Sequence, residues 1–447
     1  MSAQTPLTLQ QAINLGLENS KALHSSLMRV QTADAKSSEV NTMRFPSLKF
    51  GGSYAHLSDV PPFQASIPAN SFGPGFPLQT VTFPLSQTIL NNYNIRLTLQ
   101  QPLFTGFRVD KSADMAEYSA QAQNEDYKRD KVELIYTIKQ SYWNLFKARE
   151  FKKVVDENVQ QVQAHLNDIQ NMMKQGMVTN NEVLKVEVQL SNVKLLQIEM
   201  NNNAQLAEIA LNSAIGQPLS TEISLSSTPV VPEGQSIEVS QDVNSLVKTA
   251  LGNRPEMKAM KLRIDAADAG ITAAKSGWYP QVYLVGNYYY ARPNQRYVPA
   301  QDLFKDSWDI SVSASFDIWN WGTTIHQTQQ AQAQYEQTKD GLGQLEDGIT
   351  LEVTQSYLNL KQAQEKISVS QQAAGQAGEN YRVTNEKFKL GLALNSDLID
   401  AEVALLQAKT NYTQALVDFE LAQAKLQKSL GQSQSDSFGI RKGKNYE

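Results

Sequence analysis

The sequence predicts a mainly helical protein with a smaller share of strand, built twice over. Three observations predict it: later segments repeat earlier ones at constant offsets, two stretches of some seventy residues lack proline, and four short stretches alternate apolar with polar residues. Helical periodicity of three and four and strand periodicity of two follow one another in the same order in each half.

Composition bounds the possibilities. A chain of 447 residues with 41% hydrophobic residues can build a substantial core. Forty basic against 45 acidic residues give a net charge of -5, so a nucleic-acid footprint has nothing to rest on. Cysteine is absent, which excludes disulfides, thiolate metal sites and a lipid-modified cysteine in this sequence. No run of about 18 apolar residues marks a transmembrane helix, yet the alternating strands of a β-barrel escape such a search. The opening "MSAQTPLTLQQAI" carries no charged and apolar leader, which fits a cytoplasmic protein or a mature chain whose signal peptide has been removed.

The repeat has two registers. Pro46 falls on Pro280, Gly52 on Gly286 and Tyr54 on Tyr288 at an offset of 234. From Tyr93 onward the offset is 215, with "QSYWNL" on "QSYLNL" and Gly176 on Gly391. The first copy therefore carries 19 extra residues between positions 55 and 92, in a Pro-, Gly- and Ser-rich stretch that reads as loop.

In the first copy, residues 1–217, Leu9, Ala12, Ile13, Leu17, Leu23, Leu27 and Val30 recur at helical spacing and predict a helix over 8–45 that Pro46 ends. Strands follow at about 47–57, with Leu48, Phe50 and Tyr54 on one side, and at about 93–101, with Tyr93, Ile95, Leu97 and Leu99 on one side. Residues 105–175 form a long helix and 180–215 a shorter one. A Pro- and Ser-rich linker occupies 218–240. The second copy, 241–431, repeats the plan with helices 241–278, 320–390 and 395–430 and strands at about 281–291 and 308–316; a polar tail covers 432–447. Strands of roughly 9 to 11 residues suit a tilted membrane crossing, and would equally serve a soluble antiparallel sandwich.

The long helices decide more. Seventy residues of helix extend about 105 Å, whereas a compact globule of this length is about 60 Å across. Such helices must lie beside partners, as the series Val132, Ile135, Ile138, Tyr142 and Leu145 indicates. Between long and short helices, "KQGMVTNNEVLKVE" (174–187) and "KLGLALNSDLIDAE" (389–402) share a plan: Gly176 and Gly391 supply the left-handed residue that closes a helix, and Asn180 or Asn395 can cap the next. Each stretch is a helical hairpin tip.

The chain resembles the TolC-like outer membrane efflux protein family over nearly its whole length. The opening "LTLQQAINLGLENSKAL", the joints "RFPSL", "WYPQV", "QPLFTGFR" and "FDIWNWGT", the "QSYWNL" and "QSYLNL" repeats and the two glycine tips carry the likeness. Its force lies in their order, spacing and duplication. The resemblance implies a fold that is mainly α with β: a transmembrane β-barrel continued by a long α-helical barrel, from two helix-strand-strand-helix-helix repeats, in a homotrimer whose twelve strands close the barrel. The sequence independently agrees that four strands cannot close a barrel alone, since about eight is the usual minimum. It leaves a dimer and a trimer equally open.

The resemblance also implies sites. Asp397, Asp400 and Glu182 would line a periplasmic entrance, with Asp397 and Asp400 one helical turn apart on one face. Threefold repetition would stack carboxylate rings that favour cations and raise the pKa of some members. A solvated helix face whose acids complement the dipole is the plainer alternative, and Lys185 interrupts the ring. Gly176, Met177, Gly391 and Leu392 would form tip turns that contact an adaptor. Pro46, Pro102 and Pro280 would mark helix-strand joints, with Asp317 standing where the first copy has Pro102. Tyr54, Tyr93, Tyr288, Tyr290 and Trp308 suit a membrane girdle or a core.

No chemistry is expected. The four histidines lack metal-ligand spacing, no Gly-x-Ser-x-Gly elbow or Walker loop occurs, and "GLGQLEDG" follows a helix rather than a strand. The expectation is an outer membrane channel of a tripartite efflux pump in a Gram-negative-type cell: a passive exit duct for drugs or other small toxic molecules. It would work without cofactor, metal or nucleic acid, embedded in outer membrane lipid, with a periplasmic adaptor and an inner-membrane transporter as partners. The alternatives are a type I secretion exit for polypeptides and a non-channel helical scaffold.

Overall fold

The computed structural model describes residues 6–61, 64–69, 73, 79–84, 88–229 and 242–432. The second half of the expected linker (230–240) and the expected C-terminal tail beyond residue 432 lie outside the described residues. The chain divides into two units, the first comprising residues 1–32, 121–262 and 339–447 and the second 33–120 and 263–338.

The second unit is organised by a four-stranded antiparallel sheet of β1 (Ser47–His56), β4 (Asn91–Phe104), β5 (Gln281–Arg292) and β6 (Lys305–Ser315), in the order β1-β4-β5-β6. In the inserted segment, expected to be loop throughout, a short hairpin forms from β2 (Gln64–Ile67) and β3 (Val81–Pro84). Two four-residue alternations are too short to stand out among the surrounding prolines and glycines.

Register sorts the side chains of the main sheet. Phe50 lies opposite Leu97, Leu97 opposite Tyr288, and Tyr288 opposite Trp308. One face is therefore apolar from edge to edge. Lys49 lies opposite Thr98, Thr98 opposite Asn287, and Asn287 opposite Asp309, so the other face is polar. Thr98 Oγ1 donates to Asn287 Oδ1 at 2.9 Å and Asn287 Nδ2 donates to Asp309 Oδ1 at 3.0 Å, linking three strands.

Pro46 and Pro280 directly precede β1 and β5, as joints should. Pro102 does not mark a joint: it lies inside β4, beside an irregularity in the pairing with β5 between Pro102 and Phe104. A bulge accommodates the missing N–H. The turns from strand to helix use left-handed backbone at Gly106 (φ 60°) and Phe107 (φ 67°), and again at Trp321 (φ 54°) and Gly322 (φ 80°). For bulky Phe107 and Trp321 this conformation is a strained one.

The first unit is helical. The helix expected over 8–45 is two, α1 (Leu9–Asn19) and α2 (Lys21–Thr42), with α2 running on into the second unit. Ser20 between them is extended, and its Oγ accepts from Leu23 N at 3.2 Å, so it restarts the helix as a cap. The helix expected over 241–278 is likewise split into α5 (Val243–Asn253), α6 (Pro255–Ala274) and a short 3₁₀ turn, Lys275–Trp278. Pro255 drives Arg254 out of the helical region. The helices α3 (Arg108–Lys174) and α7 (Thr323–Lys389) have 67 residues each, about 100 Å, and α4 (Asn180–Ala214) and α8 (Asn395–Ser429) have 35 each.

Three apolar clusters hold this unit together. Ala12 and Ile13 of α1 pack on Ile138, Tyr142 and Leu145 of α3 and Leu211 of α4. Leu246 and Ala250 of α5 meet Val353 and Leu360 of α7 and Leu426 of α8 in the corresponding cluster. The third lies by the hairpin turns, with Val162 and Ile169 of α3, Val183 and Val186 of α4, Phe388 and Leu398. Each buried aliphatic side chain contributes about 1.5–3 kcal/mol before entropy is counted. The buried Tyr142 hydroxyl donates to Leu7 O at 3.0 Å and accepts from Ser227 N at 3.0 Å, pinning the described start of the linker and the N-terminal residues to α3.

Candidate functional site

After α3, Gly176 N donates to Met173 O and Met177 N to Met172 O; after α7, Gly391 N donates to Phe388 O and Leu392 N to Lys387 O. Both are helix-closing motifs that need a left-handed residue, and Gly176 and Gly391 adopt φ of 73° and 74°. A Cβ would meet nothing within 4 Å at either site, so conformation rather than space requires glycine. Met177, Leu390, Leu392 and Leu394 are exposed there, an apolar concentration at two turns.

Asn180 and Asn395 do not cap the returning helices. Thr179 and Leu394 occupy the cap positions, because each helix begins one residue earlier than a cap at the asparagine requires, with the asparagine as its first residue. Asn395 is instead buried (6% exposed) and joins the two hairpins: its Nδ2 donates to Glu182 O at 3.2 Å and to Glu182 Oε2 at 2.9 Å. Lys185 Nζ donates to Glu182 Oε1 at 2.7 Å. Those hydrogen bonds, from Lys185 first and Asn395 second, hold the Glu182 carboxyl below its ordinary pKa.

Asp397 and Asp400 are exposed on one face of the first turns of α8. Asp397 Oδ2 accepts from Leu394 N at 3.1 Å, closing the helix start. Among the described residues neither aspartate has a cationic partner. The structure thus brings Glu182 to Asn395 rather than to the aspartates.

A second polar pair was missed by the sequence reading. His165 Nδ1 lies 3.4 Å from both Glu402 carboxylate oxygens, with side chains 2% and 1% exposed, while His165 Nε2 and Glu402 Oε1 make no hydrogen bond among the described residues. The Phe388 ring packs edge-on at 5.1 Å from the imidazole. The recurrence of Glu187 as Glu402 was the available signal, but Glu187 is exposed and gives no hint that its counterpart is buried.

In the second unit, aromatics gather at both ends of the strands. Tyr54 and Tyr93 lie 4.9 Å apart, and Tyr290 stacks on Phe304 at 5.1 Å. At the other end Phe104, Phe107 and Tyr279 make mutual edge contacts, and Trp319 lies 5.7 Å from Trp321. Ile318 and Trp321 there are 89% and 85% exposed.

Comparison with known proteins gives a consistent answer. The chain is 20% identical over 351 residues to the outer membrane efflux protein BepC of Brucella suis, covering 78% of this chain and 74% of that protein. It is 20% identical over 340 residues to the alkaline protease secretion protein AprF of Pseudomonas aeruginosa, covering 75% and 69%. The solved outer-membrane channel OprN has the same fold, with a TM-score of 0.75 at 18% identity over 95% of this chain and 90% of that one. A sequence model of the family described as outer membrane efflux protein matches residues 12–217 and 246–432. With its open sheet, apolar on one face, and its paired helical hairpins matched over nearly their whole extent, the chain belongs to the outer membrane efflux protein family and is a channel of the outer membrane.

Proposed function

We propose that this protein is the passive exit duct of a tripartite efflux pump, releasing drugs or other small toxic molecules once a periplasmic adaptor and an inner-membrane transporter engage its hairpin turns. One observation carries the reading: the four-stranded sheet has an apolar face and two unpaired edges, so a single chain cannot close a barrel. The repeated plan, with two helices of 67 residues and two of 35, supports an internally duplicated chain. Three copies would supply twelve strands. Exposed Leu184, Val188, Leu195 and Ile198 on α4, and Leu351, Leu358 and Val369 on α7, are faces for neighbouring copies to cover.

The aromatic clusters fit the membrane. Tyr93 and Phe104 stand 11 residues apart on β4, about 36 Å of strand and about 28 Å of depth at a tilt of about 40°, close to the apolar band of about 25 Å in outer membrane barrels. The hairpin turns form the periplasmic mouth in this reading, with Asp397, Asp400 and Glu182 at the entrance and Met177 and Leu392 offered to the adaptor. Glu182 is tied to Asn395 and Lys185, whereas Asp397, which accepts from Leu394 N, and Asp400 carry no cationic partner among the described residues and would be the ones to hold a cation. Opening requires the hairpins to part, driven by partners that bind the open arrangement better than the closed one.

A type I secretion exit for polypeptides is the second reading, favoured by the likeness to a protein named for protease secretion. A helical scaffold without a channel has no use for an apolar sheet face. Expression in cells that lack their own exit duct, with and without a matched adaptor and pump, tests the proposal. Restored resistance to small toxic molecules only with the full set supports it; restored export of a polypeptide without drug resistance supports secretion; neither supports the scaffold.

A further inference from the structure

We propose that copies of this chain join through an antiparallel seam between β6 of one copy and β1 of the next, in a register that sets Asp317 opposite Lys49 of the next copy. The proposal rests on the multi-copy reading above and adds to it the register and the contact.

Both strands are edges, β1 on one side of the sheet and β6 on the other. The two hairpins share one register. Tyr54 opposite Tyr93, Gly52 opposite Ile95 and Leu48 opposite Leu99 become Tyr288 opposite Trp308, Gly286 opposite Ile310 and Val282 opposite Ala314 on moving the first strand by 234 residues and the second by 215. The same two offsets relate β1 to β5 and β4 to β6 throughout the sequence. Applied to the central pairing of β4 with β5, they generate the pairing of β6 with β1 of another copy.

That operation gives definite neighbours. Leu97 opposite Tyr288 becomes Val312 opposite Tyr54, Thr98 opposite Asn287 becomes Ser313 opposite Ser53, and Pro102 opposite Tyr283 becomes Asp317 opposite Lys49. The apolar face stays apolar and the polar face polar, which a slip of one residue would destroy. Charge supplies an independent argument. At the one position where the sequence replaces the uncharged Pro102–Tyr283 pair, it installs a carboxylate and an ammonium of opposite sign. Both Lys49 and Asp317 are exposed, and neither has an ion-pair or hydrogen-bond partner for its side chain among the described residues. An opposite-charge pair directly across two strands is favourable, and it also fixes register.

The length of β6 points the same way. β4 continues to Phe104 because β5 lies beside it, but β6 stops at Ser315, the counterpart of Gln100. The missing residues, Phe316 to Trp319, are those that would pair with β1 of the next copy, and Phe316, Ile318 and Trp319 are all exposed. The seam would complete the strand.

The chain has no cysteine of its own, so introduced thiols report cleanly. In full-length protein extracted in detergent, the double variant Ser53→Cys, Ser313→Cys is compared with Ser53→Cys, Ser311→Cys, which is slipped by two residues on the same face. Within one chain β1 and β6 stand three strand spacings apart, about 14 Å, beyond disulfide reach. The expected result is a covalent multimer on a non-reducing gel for the 53/313 pair and little for 53/311. Preferential linking of 53/311, or no linking by either pair in protein whose mass by light scattering is multimeric, overturns the register and leaves the exit-duct reading intact. A single-copy mass overturns the multi-copy reading and the seam with it. Charge exchange is the second arm: Lys49→Asp or Asp317→Lys alone should lower the temperature at which the multimer dissociates in SDS, and the two together should restore it. Unchanged single variants would overturn the ion pair.

Discussion

Asn395 reaches across from the start of α8 to Glu182 at the start of α4, donating to its backbone oxygen at 3.2 Å and to its carboxylate at 2.9 Å. This polar tie joins one hairpin turn to the other within the chain, and in the proposed duct it is the bond that opening would break.

Asn395→Ala removes a charge-assisted hydrogen bond whose net contribution is about 1.5–3 kcal/mol. The expected outcome is a channel that spends more time open in planar bilayers, with helix content by circular dichroism unchanged. Glu182 remains paired with Lys185, so Asn395→Ala should be milder than Glu182→Ala.

The glycines separate conformation from space. Gly391→Ala places a side chain at φ 74° in open space and should cost about 1–2 kcal/mol. Gly106→Ala meets the same strain at φ 60° and also sets a Cβ 2.7 Å from Ser276 O, so it should lower the melting temperature more. Gly391→Asn should recover part of the loss.

Arg254, nearly buried between α5 and α6, bonds Glu352 at 2.6 Å and Glu256 at 2.7 Å, and Lys425 bonds Glu352 at 2.6 Å. Burial works against ionisation of Glu352, but hydrogen bonds from Lys425 and Arg254 outweigh it and hold its pKa below the ordinary 4.5. A folded value below the unfolded one stabilises the protein fully above that ordinary value, and the contribution disappears as pH falls through the folded value. Thermal melts from pH 7 down to pH 3 should therefore fall more steeply for the parent than for Glu352→Gln, which should start about 1–3 kcal/mol less stable at pH 7.

His165 and Glu402 are buried, each with one atom that makes no hydrogen bond among the described residues. Removing either alone leaves the other stranded in apolar surroundings, whereas removing both lets the gap be packed. Denaturation of Glu402→Leu, His165→Leu and the double variant should give a double variant more stable than the sum of the single losses predicts.

The long helices, the main strands and the glycine turns were legible because periodicity, proline placement and repetition are local and mutually consistent. Ser20 and Arg254 broke helices that apolar spacing ran straight through. Pro255 announced the second break, while Ser20 carried only the weaker signal of a capping residue inside a helical pattern. At the turns the sequence located Gly176, Gly391, Asp397 and Asp400 but misassigned Asn395. Whether an asparagine caps its own helix or reaches a residue 213 positions away depends on tertiary placement, which no local pattern encodes. The burial of Glu402 beside exposed Glu187 is of the same kind.

In the proposed duct Asp397 and Asp400 guard the mouth, and single-channel recording reads both the duct and its guard. The purified protein in a planar bilayer is compared with the Asp397→Asn, Asp400→Asn double variant, with and without a divalent cation on the periplasmic side. Discrete conductance steps, blocked by the cation in the parent and unblocked in the variant, are the predicted result. Protein that stays in solution without detergent and gives no steps under any condition would contradict it.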